Sequence, residues 1–310
     1  MKRVSAIDIG TNTILMLIAD IDSTGEIHVV RDEHVIARLG KGVDEHRMIL
    51  PETFERVAGY LSEYKRIHRA EHSQQMIACG TSALRDAANR KEFLDFVHAR
   101  LGIDISILSG DEEAELTYIG SVSEFVRPSQ AQRFVVLDIG GGSTEIVVGE
   151  ELTVKSKSSL DIGSVRLTER FLKTSPPLPG AIEAAKEYVR DRVRSGPVAV
   201  EGTQCIGVAG TLTTLAAIDL QLSTYERMKV SGHILTLDVI QKIFDRLKGR
   251  RLEELKAIPQ ILPQRADIIL AGILILIELM KRLGVDTIAA SDRGLRYGVL
   301  MKAADEKEQP

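Results

Sequence analysis

Val4-Ser5-Ala6-Ile7-Asp8-Ile9-Gly10-Thr11-Asn12-Thr13-Ile14-Leu15-Met16-Leu17-Ile18 decides the reading of this chain, because its plan returns 130 residues later. The second copy is Phe134-Val135-Val136-Leu137-Asp138-Ile139-Gly140-Gly141-Gly142-Ser143-Thr144-Glu145-Ile146-Val147-Val148. Each copy is an apolar strand, a polar turn opened by Asp-Ile-Gly, and a second apolar strand, which is a hairpin signature. One copy stands near the start of each half, so two domains built on one plan are expected. The tripeptide recurs at Asp161-Ile162-Gly163. No apolar strand leaves it, and it is not counted as a third copy.

The turns have the chemistry of phosphate sites. Glycine permits positive φ and close approach of ligand oxygens, and a tight turn gathers backbone N–H groups into a concave donor set. Gly10, Thr11, Asn12 and Thr13 in the first turn, and Gly140, Gly141, Gly142, Ser143 and Thr144 in the second, are the candidate phosphate contacts. An aspartate opening each turn repels phosphate unless a divalent cation bridges the two. No Gly-Lys-Ser/Thr occurs, so the P-loop pattern is absent, and neither turn runs directly into a helix as a dinucleotide fingerprint requires. Gly207-Val208-Ala209-Gly210-Thr211 does pass from strand to helix. It would either cap a phosphate or ribose at a helix N-terminus or serve as a packing turn.

At 310 residues the chain exceeds one ordinary core, and two domains of about 150 residues are expected. The division is placed at 1–125 and 126–310, with Val126 to Gln130 as linker and the last helix able to pack back on the first domain. Between the turns the pattern is α/β. Helices are expected after Pro51, over Asn89 to Leu101, and over Glu112 to Phe125; strands at Met76–Cys79 and Ile103–Leu108. In the second half, helices are expected over Leu178–Arg194, Thr213–Leu220, Asp238–Leu247 and Arg265–Leu283, with a strand at Gln204–Val208. Asp305 to Pro310 is polar and expected to fray.

Composition narrows the function. The net charge is −4 and aromatics are 4%, with no Trp. No basic block or stacking platform is present, so a nucleic-acid polymer is not the expected partner. Cys79 and Cys205 are too few and too far apart for a disulfide framework or zinc site, and cytoplasmic localisation is expected. His68-Arg69-Ala70-Glu71-His72 matches the HxxEH zinc pattern, but in a charged stretch without a third ligand it reads as a solvated helix end. The apolar run Ile268–Ile277 is too short to span a bilayer, reads as a buried helix, and no membrane association is expected.

With these residues in view, the chain resembles the exopolyphosphatase / guanosine pentaphosphate phosphohydrolase family, within the acetate and sugar kinase, heat-shock ATPase and actin superfamily. The matching stretches include Ala6–Thr13, Thr81-Ser82-Ala83-Leu84-Arg85-Asp86-Ala87, Ser109-Gly110-Asp111-Glu112-Glu113-Ala114 and Asp138–Glu145. Gly163–Glu169, Gly207–Leu215, Arg265-Ala266-Asp267 and Ser291–Arg296 follow in family order. The resemblance implies two ribonuclease H-like domains of the actin-like ATPase fold with an interdomain cleft. It implies Glu113 as general base, with Asp138 and Glu145 holding Mg²⁺ (Mn²⁺ being the alternative) and Asp8 facing them. Arg85, Arg265, Gly210 and Thr211 would contact phosphates. Leu15 stands where many relatives carry a basic residue, and Ala209 where glycine is usual, a change expected to preserve the backbone path.

The expected activity is release of orthophosphate from the end of inorganic polyphosphate. Since the chain resembles the short members of the family, short polymers are the expected substrates. The same chemistry would serve removal of the 5′ γ-phosphate of guanosine pentaphosphate. A non-catalytic alarmone or nucleotide sensor and an ATP-dependent kinase are the other readings, and a homodimer is the expected assembly.

Overall fold

β-Branched and apolar residues dominate the two echoing segments, and in the computed structural model both become paired strands. The structure describes residues 1–127, 131–199 and 202–305. The described residues divide into two units, 1–120 with 295–305, and 121–294.

The first unit contains β1 (Lys2–Ile9), β2 (Thr13–Ile21), β3 (Ile27–Ile36), α1 (Val43–His46), α2 (Pro51–Ala70), β4 (Gln75–Gly80), α3 (Ser82–Asp86), α4 (Arg90–Leu101), β5 (Ile105–Ile107) and α5 (Gly110–Val122), whose last turn enters the second unit. Its five strands run in the order β3-β2-β1-β4-β5. β1, β2 and β3 pair antiparallel, whereas β4 lies parallel to both β1 and β5. Pro51 opens α2, where its missing N–H costs nothing, and Phe54, Val57, Leu61 and Tyr64 on one face of that helix are buried.

The second unit carries β6 (Arg133–Ile139), β7 (Thr144–Glu150), β8 (Thr153–Leu160), α6 (Ser164–Arg170), α7 (Pro179–Val193), β9 (Gln204–Val208), α8 (Ala209–Asp219), α9 (Arg227–Val230), β10 (Ile234–Thr236), α10 (Leu237–Leu247), α11 (Leu252–Lys256), α12 (Ile269–Leu283) and β11 (Thr287–Ala290). The sheet order is β10-β11-β9-β6-β7-β8. Its antiparallel β6-β7-β8 ribbon and the parallel β9 repeat the arrangement of β1-β2-β3 and β4. One plan has therefore been used twice.

α12 starts at Ile269, later than the sequence pattern indicates, because Pro263 begins a separate 3₁₀ turn over Pro263–Arg265. The helix is buried nearly all round, which accounts for its unbroken apolar run. Among the described residues, no helix is long and apolar enough to cross a membrane. Pro128, Ser129 and Gln130 of the expected linker lie outside the described residues, as do 306–310 of the polar end. After Gly294 the chain returns to the first unit as α13 (Leu295–Asp305). There Leu295, Tyr297, Val299 and Leu300 share a core with Val4, Ala6, Leu17 and Ala19 of β1 and β2. Arg296, largely buried on α13, donates to the Met16 carbonyl at 3.3 Å and to Asp32 of β3.

Candidate active site

In the first turn the Gly10 N–H donates to the Thr13 carbonyl at 3.0 Å and closes the loop between β1 and β2. The segment after β3 then takes hold of the turn from behind. Gly40 N–H donates to Thr11 O at 2.8 Å, and Arg38 N–H to Asn12 O at 2.9 Å. A Cβ on Gly40 would stand 2.3 Å from Thr11 Cγ2, so only glycine lets the two strands of chain approach. In a trans peptide the C=O and the following N–H point in opposite directions. The Asn12 and Thr13 N–H groups therefore face away from the backing segment. Thr11 and Asn12 are buried, and Thr11 Oγ1 and Asp8 Oδ1 are buried atoms without a hydrogen bond.

The second turn repeats the device with more grip. Gly140 N–H donates to Ser143 O at 3.0 Å. The start of α6 binds the turn's carbonyls in succession: Ser164 N–H to Gly140 O (2.9 Å), Val165 N–H to Gly141 O (2.9 Å) and Arg166 Nε–H to Gly142 O (2.9 Å). By the same geometry the Gly141, Gly142 and Ser143 N–H groups all face away from α6, as a concave donor set for an anion. Gly163, in the Asp-Ile-Gly not counted as a copy, touches this turn. A Cβ there would lie 2.3 Å from Gly141 O. Thr144, expected to offer its hydroxyl to a ligand, instead donates it to Ile162 O at 2.6 Å and is fully buried. Its hydroxyl proton is committed to backing the turn.

Strand register separates the two turns. Asp138 pairs directly with Glu145 across β6 and β7, which puts both carboxylates on one face of the ribbon. The equivalent partner of Asp8 is Leu15. Glu145 is buried and accepts from Ser159 Oγ at 2.7 Å. Two hard oxygen donors on one face, one of them buried, suit a divalent cation such as Mg²⁺. Asp8 brings a single carboxylate to its turn.

Glu113 and Glu112 are adjacent in sequence and opposite in role. Glu112 accepts from the Ser109 N–H and Oγ–H, both at 2.8 Å, while the Glu112 N–H donates to Ser109 Oγ at 3.2 Å, a reciprocal cap for α5. Glu113 is buried, and Arg85 Nη1 of α3 donates to its Oε2 at 2.5 Å and to Leu108 O at 3.1 Å. Both residues belong to the first unit, so the pair is internal to it. Burial pushes the Glu113 carboxyl above the ordinary carboxylate range, and Arg85 opposes that rise.

In the second unit, α8 starts at Ala209 with φ +68°, a left-handed backbone held by a residue that has a Cβ. A residue with a Cβ in this region carries backbone strain. Gly210 leaves room for Arg265: a Cβ there would lie 2.0 Å from Arg265 Nη1. Burial lowers the Arg265 pKa, and among the described residues the guanidinium has no hydrogen-bond or ion-pair partner. Thr211 turns its side chain toward Gly272 of α12, where a Cβ would meet Oγ1 at 2.2 Å.

The HxxEH residues do not converge. His68 shares a hydrogen bond with Ser5 Oγ at 2.9 Å, Glu71 accepts from Arg31 at 3.2 Å, and His72 lies beyond the end of α2 at φ +53°. Cys79 and Cys205 are buried free thiols, and burial pushes Cys79 up to about 12.

Residues 17–307 match the model of the Ppx/GppA phosphatase family. The chain belongs to that family. It is 36% identical over 321 residues to a protein of Mycobacterium tuberculosis named exopolyphosphatase 2, covering 98% of this chain and 99% of that one. It is 32% identical to a Vibrio atlanticus protein named guanosine-5′-triphosphate,3′-diphosphate pyrophosphatase, covering 98% of this chain and 60% of the relative. Among solved structures, the Aquifex aeolicus Ppx/GppA family member matches with a TM-score of 0.82 at 31% identity, over 100% of this chain and 99% of its own. As a Ppx/GppA phosphatase the chain is a hydrolase of phosphoanhydride bonds, and its α/β units have the ribonuclease H-like fold of the actin-like ATPases.

What sequence reasoning missed in this Ppx/GppA phosphatase is the backing of the turns by Gly40, Gly163 and Arg166, and the Arg85–Glu113 pair. Gly163 carried a signal in its repeated tripeptide. The ion pair carried none, because its partners are brought together only by the packing of α3 and α5.

Proposed function

We propose that the chain hydrolyses the terminal phosphoanhydride bond of inorganic polyphosphate and releases orthophosphate. The observation that carries this reading is Arg265, a desolvated guanidinium with no ion-pair partner among the described residues, seated against Gly210 at the start of α8. A half-buried cation that has lost part of its hydration gains from an anion, and a phosphate supplies both charge and acceptors. The three aligned amides of Gly141, Gly142 and Ser143 are suited to the same ligand.

Asp138 and Glu145 are proposed to hold Mg²⁺, with Asp8 as a further carboxylate, and the ion when bound would neutralise charge on the phosphoryl oxygens. Glu113 is proposed as the general base that takes a proton from the attacking water. Its burial favours proton uptake, and Arg85 beside it favours the ionised form that can accept the proton. Arg85 would also reach phosphate, because Nη1 alone makes its two hydrogen bonds.

Guanosine pentaphosphate is the second substrate reading, favoured by the similarity to the Vibrio protein. The test is orthophosphate release, with Mg²⁺ or Mn²⁺, from polyphosphates of graded length, guanosine pentaphosphate and ATP. The highest kcat/KM is expected on polyphosphate. A higher value on guanosine pentaphosphate would reassign the substrate, and no release from polyphosphate of any length would end the proposal.

A further inference from the structure

We infer that Arg166 is a positioning residue for the second phosphate turn, acting through the Gly142–Ser143 peptide. The inference rests on the proposed role of that turn in holding phosphate. Gly140 O and Gly141 O are held by backbone N–H groups of Ser164 and Val165, which come with the α6 helix whatever the side chains are. Gly142 O is different. Its donor is a side chain, Arg166 Nε, at 2.9 Å. The whole guanidinium side chain is buried, with the residue 6% exposed, although it lies on the helix that supports the turn and not on the turn itself.

The consequence follows from peptide planarity. Holding Gly142 O toward α6 holds the Ser143 N–H away from it, in line with the Gly141 and Gly142 N–H groups. Without a donor at Gly142 O, this peptide is the easiest of the three to rotate, because backbone N–H groups still hold the Gly140 and Gly141 carbonyls and Gly142 itself permits the turn. Rotation would replace a donor with a carbonyl oxygen aimed at the ligand. In the first turn the Thr11 and Asn12 carbonyls are held by the Gly40 and Arg38 backbone N–H groups. Arg166 Nε is therefore a side-chain hold on the Gly142 carbonyl that a point substitution can remove without touching the main chain.

The test contrasts Arg166→Gln with Arg166→Met. Both remove the charge and the distal nitrogens. Glutamine keeps an N–H donor at the chain position of Nε, and methionine puts a methyl group there. ¹⁵N–¹H spectra of the full chain are followed during titration with tripolyphosphate, and kcat/KM for polyphosphate is measured alongside thermal melts. In wild type and Arg166→Gln, the Gly141, Gly142 and Ser143 amides should all shift on binding. In Arg166→Met the Ser143 response should be lost while Gly141 and Gly142 still respond, with kcat/KM about 10- to 100-fold below the Gln variant.

Equal Ser143 responses in the two variants would overturn the inference. If Arg166→Met does not fold, Arg166→Gln decides: a retained Ser143 response supports the inference, and a lost one overturns it. If wild type shows no response at these amides, the phosphate reading of the turn fails first. If wild type responds and the variants match each other, only the role of Arg166 fails.

Discussion

Replacing Arg85 by methionine removes the cation that lies against Glu113 while keeping most of the side chain's length. The two groups meet at 2.5 Å, with side-chain exposures of 21% and 11%. Opposite unit charges about 4 Å apart attract by about 4 kcal/mol at an effective dielectric of 20 and about 1 kcal/mol in water. With some solvent reaching Arg85, about 1.5–3 kcal/mol is a fair range, or about 10- to 100-fold in the ratio of ionised to protonated Glu113. Burial already raises the Glu113 pKa. A carboxyl raised on folding contributes stability that is fully present below its unfolded value and is lost as pH rises through its folded value. Taking Arg85 away moves that loss to higher pH and makes the ionised form more costly.

Two readouts follow from Arg85→Met. The acid limb of the kcat profile for phosphate release should move to higher pH. At a fixed pH on that limb, activity should drop about 10- to 100-fold beyond any loss at the plateau, the latter reporting the proposed phosphate contact of Arg85. Thermal melts should show a larger loss on the alkaline side of the profile, where an ionised Glu113 is buried alone, than on the acid side, where it is protonated. An acid limb that superimposes on wild type, with equal melting losses on the two sides, would refute the coupling of Arg85 to the base.

Glu113→Gln keeps an acceptor for Arg85 but cannot take a proton; kcat should fall by about 10² or more while tripolyphosphate binding by calorimetry stays near wild type. Asp138→Asn should raise the Mg²⁺ concentration needed for half-maximal activity, and an unchanged Mg²⁺ titration would remove Asp138 from the ligand set. Ala209→Gly relieves a left-handed backbone at φ +68°, so the melting temperature should rise by up to about 3 °C, about 1 kcal/mol, with kcat/KM little changed; a lower melting temperature would show that the strain is absent.

Much of the fold was legible because its signal is local. Strand, glycine turn and strand occupy consecutive residues in both copies, and each became a hairpin: β1 with β2, and β6 with β7. Helices with a clear start, such as α2 behind Pro51, appeared where the pattern put them. β3 and β8 were not legible, because half-exposed edge strands such as Thr153–Leu160 lack a clean apolar alternation. The placement of α13 on β1 and β2 was open for a different reason, since its apolar partners lie nearly the whole chain away.

The candidate site divides along the same line. Spacing alone announced the turn glycines, but not what holds them. The need for glycine at 163 comes from Gly141 O, on another element, and no pattern within Asp161-Ile162-Gly163 records it. The difference between the two turns lies between these extremes. Asp138 and Glu145 are seven positions apart, as are Asp8 and Leu15, and in a hairpin with this turn that spacing makes direct cross-strand partners. Once the register is known, the sequence itself distinguishes the turns. One ribbon presents two carboxylates on a face, the other a carboxylate beside leucine. A divalent ion favours the first arrangement, since each added carboxylate oxygen contributes both charge and coordination. The first turn keeps its aligned Asn12 and Thr13 amides, which suits it to orienting phosphate more than to carrying the metal.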